Sequence, residues 1–208
     1  MLPVDSLLVF WTASVLLALA PGPDNLFVLA QAVQHGRVAG LAVTLGLCTG
    51  LLGHTAAVAL GVAALFQTSA VAFALLKYLG AAYLLYLAWQ AFRAGTAAAG
   101  NDQLAVQSFA RLYRRGIFMN LTNPKVSLFF LAFLPQFTDP DRGALLPQIL
   151  LLGLLFIAAT ILIFGAISLL AGSVGALLRR SARAQLLLNR LSGLLFVGLA
   201  IRLALARR

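Results

Sequence analysis

Acidic residues are scarce in this chain: five among 208, against fifteen Lys and Arg. Hydrolytic chemistry needs paired carboxylates or a metal-bound water, and there is little here to build either. No HExxH run occurs, and His35 and His54 stand nineteen residues apart. The single cysteine, Cys48, excludes an internal disulfide and a cysteine metal cluster. Charged residues make up 10%, where soluble domains carry about a quarter. No basic stretch is interleaved with aromatics, so the net charge of +10 does not outline a nucleic-acid surface. Strict apolar–polar alternation is missing too, which argues against a β-barrel. No Lys or Arg precedes the first apolar run, and Asp5 stands where the basic region of a signal peptide belongs. The peptidase-like Ala18-Leu19-Ala20 is followed at once by Pro21, so this segment is expected to remain as a mature helix.

What is abundant is apolar chain. Hydrophobic residues reach 62% and the mean hydropathy is +0.99. One water-soluble core of this size does not hide so much apolar surface; a bilayer removes the need. About 20 apolar residues cross a hydrocarbon core of about 30 Å. Span one runs from Ser6 to Pro23 and continues as a shorter piece to about Gln34. Val38 to Leu76 is too long for one helix, and Gln67-Thr68-Ser69 is the expected turn. Span two is then about 38–66, and span three about 70–92. A small, polar stretch at 94–110 reads as a loop. Span four covers about 112–137, Gly143 to Leu178 holds span five, and span six is about 185–204. The expected fold is an all-α integral membrane protein of six transmembrane helices. It forms one membrane domain, 1–208, with repeats at about 1–93 and 111–208.

Arginines orient it. Arg37, Arg93, Arg111, Arg114, Arg115, Arg179, Arg180, Arg183 and Arg190 follow the odd spans; Arg142, Arg202, Arg207 and Arg208 lie opposite. Nine against four puts the odd loops in the cytoplasm and both termini outside.

Two spans are broken by proline: the first at Pro21-Gly22-Pro23-Asp24-Asn25, the fourth at Asn120-Leu121-Thr122-Asn123-Pro124-Lys125. Proline lacks the N–H and clashes with the preceding turn, and freed backbone groups in hydrocarbon need partners. First and fourth of six divides the chain as three plus three. An odd number of spans per half makes the halves antiparallel. Interrupted spans at corresponding places in inverted halves point to a transporter site. Asn123 before Pro124 reads as an N-cap with proline at the first helical position, and Gly22-Pro23 does the same. Each half-helix start offers free N–H groups and partial positive charge to a carboxylate. Lys125 adds a full positive charge, and Asp24 suits an ammonium or a proton. The plainer reading makes Asp24 a helix cap and Lys125 a side chain snorkelling from an interface.

Gly46, Gly50 and His54 fall at four-residue steps on one face of span two, where glycines permit close helix approach. His54 has two readings: a hydrogen-bonded structural histidine, or a proton-coupling group beside Asp24. Lys77 is expected to snorkel to the outer interface. Tyr78, Tyr83 and Tyr86 are belt aromatics or pathway residues. Phe129, Phe130 and Phe133 read as packing or lipid-facing.

At these residues the chain resembles the LysE/RhtB family of amino-acid exporters. The matching stretches are PGPDNLFVLAQAVQHGRVAGLAVTLGLCTGLLGH (21–54), LLKYLGAAYLLYLAWQAFR (75–93) and GIFMNLTNPKVSLFFLAFLPQF (116–137). The family's Pro-Gly-Pro falls on Pro21, Gly22 and Pro23, and its Asn-Pro-Lys on Asn123, Pro124 and Lys125. Where Leu-Gly is expected after the third span, Leu87-Ala88 stands instead. The resemblance implies inner-membrane export of amino acids or derivatives, driven by the proton gradient, with no cofactor. The substrate-binding set is then Pro21, Gly22, Pro23, Asp24, Asn25, Asn120, Thr122, Asn123, Pro124 and Lys125. The partners are a small-molecule substrate and the lipid bilayer, with oligomeric state open. A metal-cation exporter is the first alternative, although one cysteine and one intramembrane aspartate make a poor cage. A channel-like protein is the second.

Overall fold

The computed structural model describes residues 2–68, 70–95, 107–173 and 181–205, with the side chains of 62–68, 70–73, 76 and 184 set aside. Ser69 of the expected turn, residues 96–106 of the expected loop, residues 174–178 of span five, and Arg179, Arg180, Arg207 and Arg208 lie outside them. Every long element is a helix: α1 Val4–Leu19, α2 Pro23–His35, α3 Arg37–Thr68, α4 Ala70–Arg93, α5 Phe109–Leu121, α6 Pro124–Leu128, α7 Leu145–Leu169 and α8 Ala182–Leu205. Three are long and apolar enough to cross a membrane: Arg37–Gly61, Leu145–Leu169 and Gln185–Leu205. Counting each bent pair as one span brings the number to as many as five. The bends are 59° between α1 and α2, and 50° between α5 and the segment Pro124–Phe137.

Both bends come from the prolines. α2 starts at Pro23 with Gly22 as its extended N-cap, and α6 starts at Pro124 with Asn123 as N-cap. A proline at the first helical position loses no hydrogen bond, because that N–H has no intrahelical partner. After α6 the helix widens to a π turn at Phe129–Phe133, where the Leu134 amide bonds the Phe129 carbonyl. It then tightens to a 3₁₀ turn at Leu134–Phe137. Pro135 has no N–H to continue an α-helical ladder here. Gly36 alone separates α2 from α3; its φ of 85° lies where glycine is the natural residue. α5 begins at Phe109, three residues before the expected start at 112.

α3 lies along α5 and α7, α1 along α7, and α4 along α8. Glycine sets the closest crossing. A Cβ on Gly46 would run into the Tyr113 carbonyl, and one on Gly116 into the Val43 carbonyl. Two apolar clusters fill the interior. The larger holds Phe10, Phe129, Phe130, Phe133, Phe137 and Phe156, with Leu51 of α3 and Leu152 of α7. The smaller joins Val28, Val43, Leu47, Leu112 and Phe164. They occupy opposite ends of α3 and α7. The outer surface carries large apolar side chains such as Leu60, Leu79, Phe118, Leu154, Leu194 and Leu205. A bilayer accommodates such a surface, whereas water does not.

Tyr78 and Tyr86 are exposed on α4, Tyr86 stacks with Trp89, and the Lys77 ammonium lies 4.7 Å from the Tyr78 ring centre. None of them lines the cavity described below. Phe129, Phe130 and Phe133 are packed in the core and do not face lipid.

Candidate functional site

The two breaks meet. Asn123 Nδ2 donates to Asp24 Oδ2 at 2.8 Å, joining side chains 99 residues apart. Asn123 also uses its Oδ1 to accept from the Lys125 amide at 3.0 Å, so one side chain caps its own helix and grips the other. Asp24, Asn25, Asn120, Asn123 and Lys125 are all buried. Unpaired polar groups are costly at such depth, so the fate of each decides what the site can do.

Lys125 is committed. Its Nζ donates to the Leu17 carbonyl at 3.2 Å and the Ala20 carbonyl at 3.0 Å. These belong to the end of α1, where the last carbonyls have no intrahelical donor and the helix dipole favours a cation. Asn25 Nδ2 serves the same end, donating to the Ala18 carbonyl at 2.7 Å, and the Ala20 amide bonds the Leu16 carbonyl. Lys125 therefore does not snorkel from an interface: it ties the start of α6 to the end of α1, close to Gly22, where a Cβ would come within 3.2 Å of the ammonium. Asp24 and Lys125 form no ion pair within 4.0 Å among the described residues. An ammonium has three donors, and two of these are spent.

The acceptors are less committed. Asp24 Oδ1, Asn25 Oδ1 and Asn120 Oδ1 are buried without a hydrogen-bond partner. Asp24, Asn120 and Lys125 line a cavity of about 20 Å³, room for about one water and too small for an amino acid. Apolar side chains complete its wall, Leu17 and Phe156 from the larger cluster, Leu47 and Phe164 from the smaller. The lining thus combines a few polar side chains with hydrocarbon from both apolar clusters.

His54 stands beside it. Its Nε2 lies 3.1 Å from the Asn120 carbonyl, and its ring packs 5.6 Å from that of Phe130. Asn120 is in the last turn of α5, so His54 satisfies a helix-end carbonyl. Gly50 lets Asn120 in: a Cβ there would meet the Asn120 side chain at 2.7 Å. Thr122 goes elsewhere. It is exposed and its hydroxyl bonds the Phe118 carbonyl at 2.7 Å, on its own helix. Of the ten residues expected to bind substrate, Asp24, Asn120 and Lys125 border the chamber. Asn25 and Asn123 support these from behind, and Pro21, Gly22, Pro23 and Pro124 shape the breaks.

The pattern of broken helices did not point to Thr160. It lines the same cavity from α7, and the only available signal was its isolation in the apolar run between Gln148 and Ser168. Gln31 was also unmarked; it is fully buried with Nε2 unpartnered, its Oε1 lying 3.2 Å from His35 Nδ1. Among the described residues, no three His, Cys, Asp or Glu side chains gather where they could hold a metal ion.

Residues 15–207 match the family described as LysE type translocator. The chain is 37% identical over 194 residues to a homoserine/homoserine lactone efflux protein of Salmonella typhi, covering 93% of each. It is 35% identical over 208 residues to a leucine efflux protein of Enterobacter sp., covering 94% of each. An uncharacterized membrane protein of Vibrio cholerae is 34% identical over 200 residues, covering 96% of this chain and 97% of that one. No solved structure gives a significant match. With its two capped proline breaks joined through Asp24 and Asn123, and with the match running over nearly its whole length, the chain belongs to the LysE type translocator family, whose members are transporters and not enzymes.

Proposed function

We propose that this protein exports amino acids and close derivatives across the inner membrane, by alternating access coupled to proton antiport. One observation carries the reading: Asp24 and Asn120, each with a buried side-chain oxygen that has no hydrogen-bond partner, line one small cavity where the two broken helices meet. An ammonium group is the natural complement to a carboxylate and an amide oxygen. The third donor of Lys125 and the free N–H groups at the start of α2 complement a carboxylate. The names of relatives similar over the whole chain, homoserine/homoserine lactone efflux and leucine efflux, support a small amino-acid cargo.

Six crossings follow if each bent pair is one span and α4 is another. The halves are then α1 to α4 (about 1–93) and α5 to α8, whose first helix starts at Phe109, two residues before the expected 111. The packing supports an inverted relation: α3 lies on the broken helix of the second half, α7 on that of the first, and α3 pairs with α7 as α4 does with α8. The nine arginines after odd spans support cytoplasmic odd loops and outward termini. Substrate enters from the cytoplasmic end when the smaller apolar cluster parts, and it leaves when the larger one does. Asp24 holds the substrate ammonium on the way out and a proton on the way back. His54, already bonded to the Asn120 carbonyl, positions the end of α5.

An efflux screen tests this. Cells over-expressing the protein are loaded with dipeptides, and each amino acid released to the medium is assayed, with Asp24→Asn alongside. The variant keeps an acceptor for Asn123 and so is expected to fold. Loss of a charged hydrogen bond of about 1.5–3 kcal/mol predicts at least tenfold weaker export. A release profile flat across all amino acids, or normal export by well-expressed Asp24→Asn, overturns the reading.

A further inference from the structure

We propose that Thr160 sets side-chain specificity, selecting substrates that carry a hydrogen-bonding group on a short side chain over purely aliphatic ones. The proposal rests on the exporter reading above and deepens it. Three observations carry it.

The first is position. Phe156, Thr160 and Phe164 are spaced by four residues along α7, and all three line the cavity that Asp24, Asn120 and Lys125 also line. Four-residue steps keep side chains on one helix face. A substrate whose ammonium sits at Asp24 and Asn120 directs its side chain to this wall. The wall is phenyl, hydroxyl, phenyl.

The second is the state of the hydroxyl. In apolar helices Ser and Thr satisfy themselves by bonding the carbonyl four residues back. Here Ser14, Thr44, Thr55 and Ser168 all do so, at 2.8–2.9 Å. Thr160 is as buried as they are, at 3% exposure, yet no hydrogen bond joins its hydroxyl to any described residue. Unlike Asp24 Oδ1 and Asn120 Oδ1, its oxygen is not sealed off, so the hydroxyl stays open to the cavity that Thr160 lines.

The third is chemical contrast. The rest of the side-chain wall is hydrocarbon, from Leu47, Phe156 and Phe164. Such a wall discriminates poorly between side chains of similar size, whereas one hydrogen bond made or left unmade discriminates strongly. Thr160 offers both a donor and an acceptor, which suits a hydroxyl or a lactone oxygen. Leucine leaves it unpaired.

The test is a competition assay. The full-length protein in proteoliposomes is loaded with equal homoserine and leucine, and the ratio released is measured. Wild type is expected to favour homoserine. Thr160→Val, nearly the same shape without the hydroxyl, is expected to lower the ratio about threefold to tenfold, the range of one net hydrogen bond, through homoserine alone. Thr160→Ser keeps the hydroxyl and is expected to keep the ratio. Since no protein bond is lost, Thr160→Val is expected to be at least as heat-stable in detergent as wild type. If Thr160→Val fails to insert, Thr160→Ser against Thr160→Ala decides the same point. An unchanged ratio in Thr160→Val, or an equal fall in Thr160→Ser, overturns the specificity role and leaves the exporter reading standing. Release of neither substrate by wild type removes both.

Discussion

Replacing Lys125 by methionine separates a structural cation from a substrate-binding one. Methionine keeps an unbranched apolar stem in a buried site and removes every donor. Three effects compete. The carbonyls of Leu17 and Ala20 lose their ammonium partner, at about 1–3 kcal/mol each when left unpaired. Asp24 loses its nearby buried cation. Against these, an ammonium no longer has to be desolvated. Breaking one side of a buried charge arrangement costs about 3–5 kcal/mol net; in a chain of this size that lowers the melting temperature by roughly 10 °C. The assay is thermal unfolding in detergent, followed by loss of the monodisperse peak. Lys125→Gln, whose amide can still reach one carbonyl, is expected to fall between. In the double variant Asp24→Asn/Lys125→Met no carboxylate is stranded, so it is expected to be more stable than Lys125→Met alone. Wild-type stability in Lys125→Met would refute the reasoning. The end of α1 would then be satisfied elsewhere, and Lys125 would be free for cargo.

Two further outcomes follow from the geometry. Gly46→Ala drives a Cβ into the backbone carbonyl of Tyr113, so α3 and α5 must separate; a loss of about 1–3 kcal/mol is expected in the same unfolding assay. Gly61→Ala, with open space around it, serves as its control. His54→Phe keeps ring packing on Phe130 but orphans the Asn120 carbonyl, costing about 1–3 kcal/mol. Under the antiport proposed above, protein that folds is expected to keep its efflux, and loss of efflux with intact folding would make His54 a proton carrier.

Much of the site could be read in the sequence because proline acts locally. A residue without an N–H breaks a helix wherever it stands, so both breaks and both half-helix starts need no knowledge of the rest of the chain. The Gly46, Gly50, His54 face was legible for a similar reason: four-residue steps are one face of any helix. What could not be read is what each polar group reaches. Lys125 finds acceptors 105 and 108 residues away, and nothing near it in sequence says that its charge is spent on α1. Thr122 sits in the motif yet turns back on its own helix, since a threonine with its i−4 carbonyl in reach has no need of the chamber. Thr160 lay in the opposite position, far from any motif and marked only by solitude.

The sign of the charge explains why two similar breaks give two different residues their roles. Asp24 and Lys125 stand at the same station, the second residue of a helix that opens with proline. A helix start carries partial positive charge, which favours an acid there by about 0.3–1 kcal/mol and disfavours a base by a similar amount. Asp24 is therefore content at its post. One hydrogen bond from Asn123 orients it, and its second oxygen stays available. Lys125 is not content, and its long stem lets it leave for the negative end of another helix, the carbonyls that close α1. The acid is thus held ready and the base is used as a strut. In the export cycle proposed above, moving one broken helix against the other would strain those two strut bonds, whereas loading Asp24 would strain none. Asn123 would then link cargo to opening, since it holds Asp24 with its amide nitrogen and the start of the Lys125 helix with its amide oxygen.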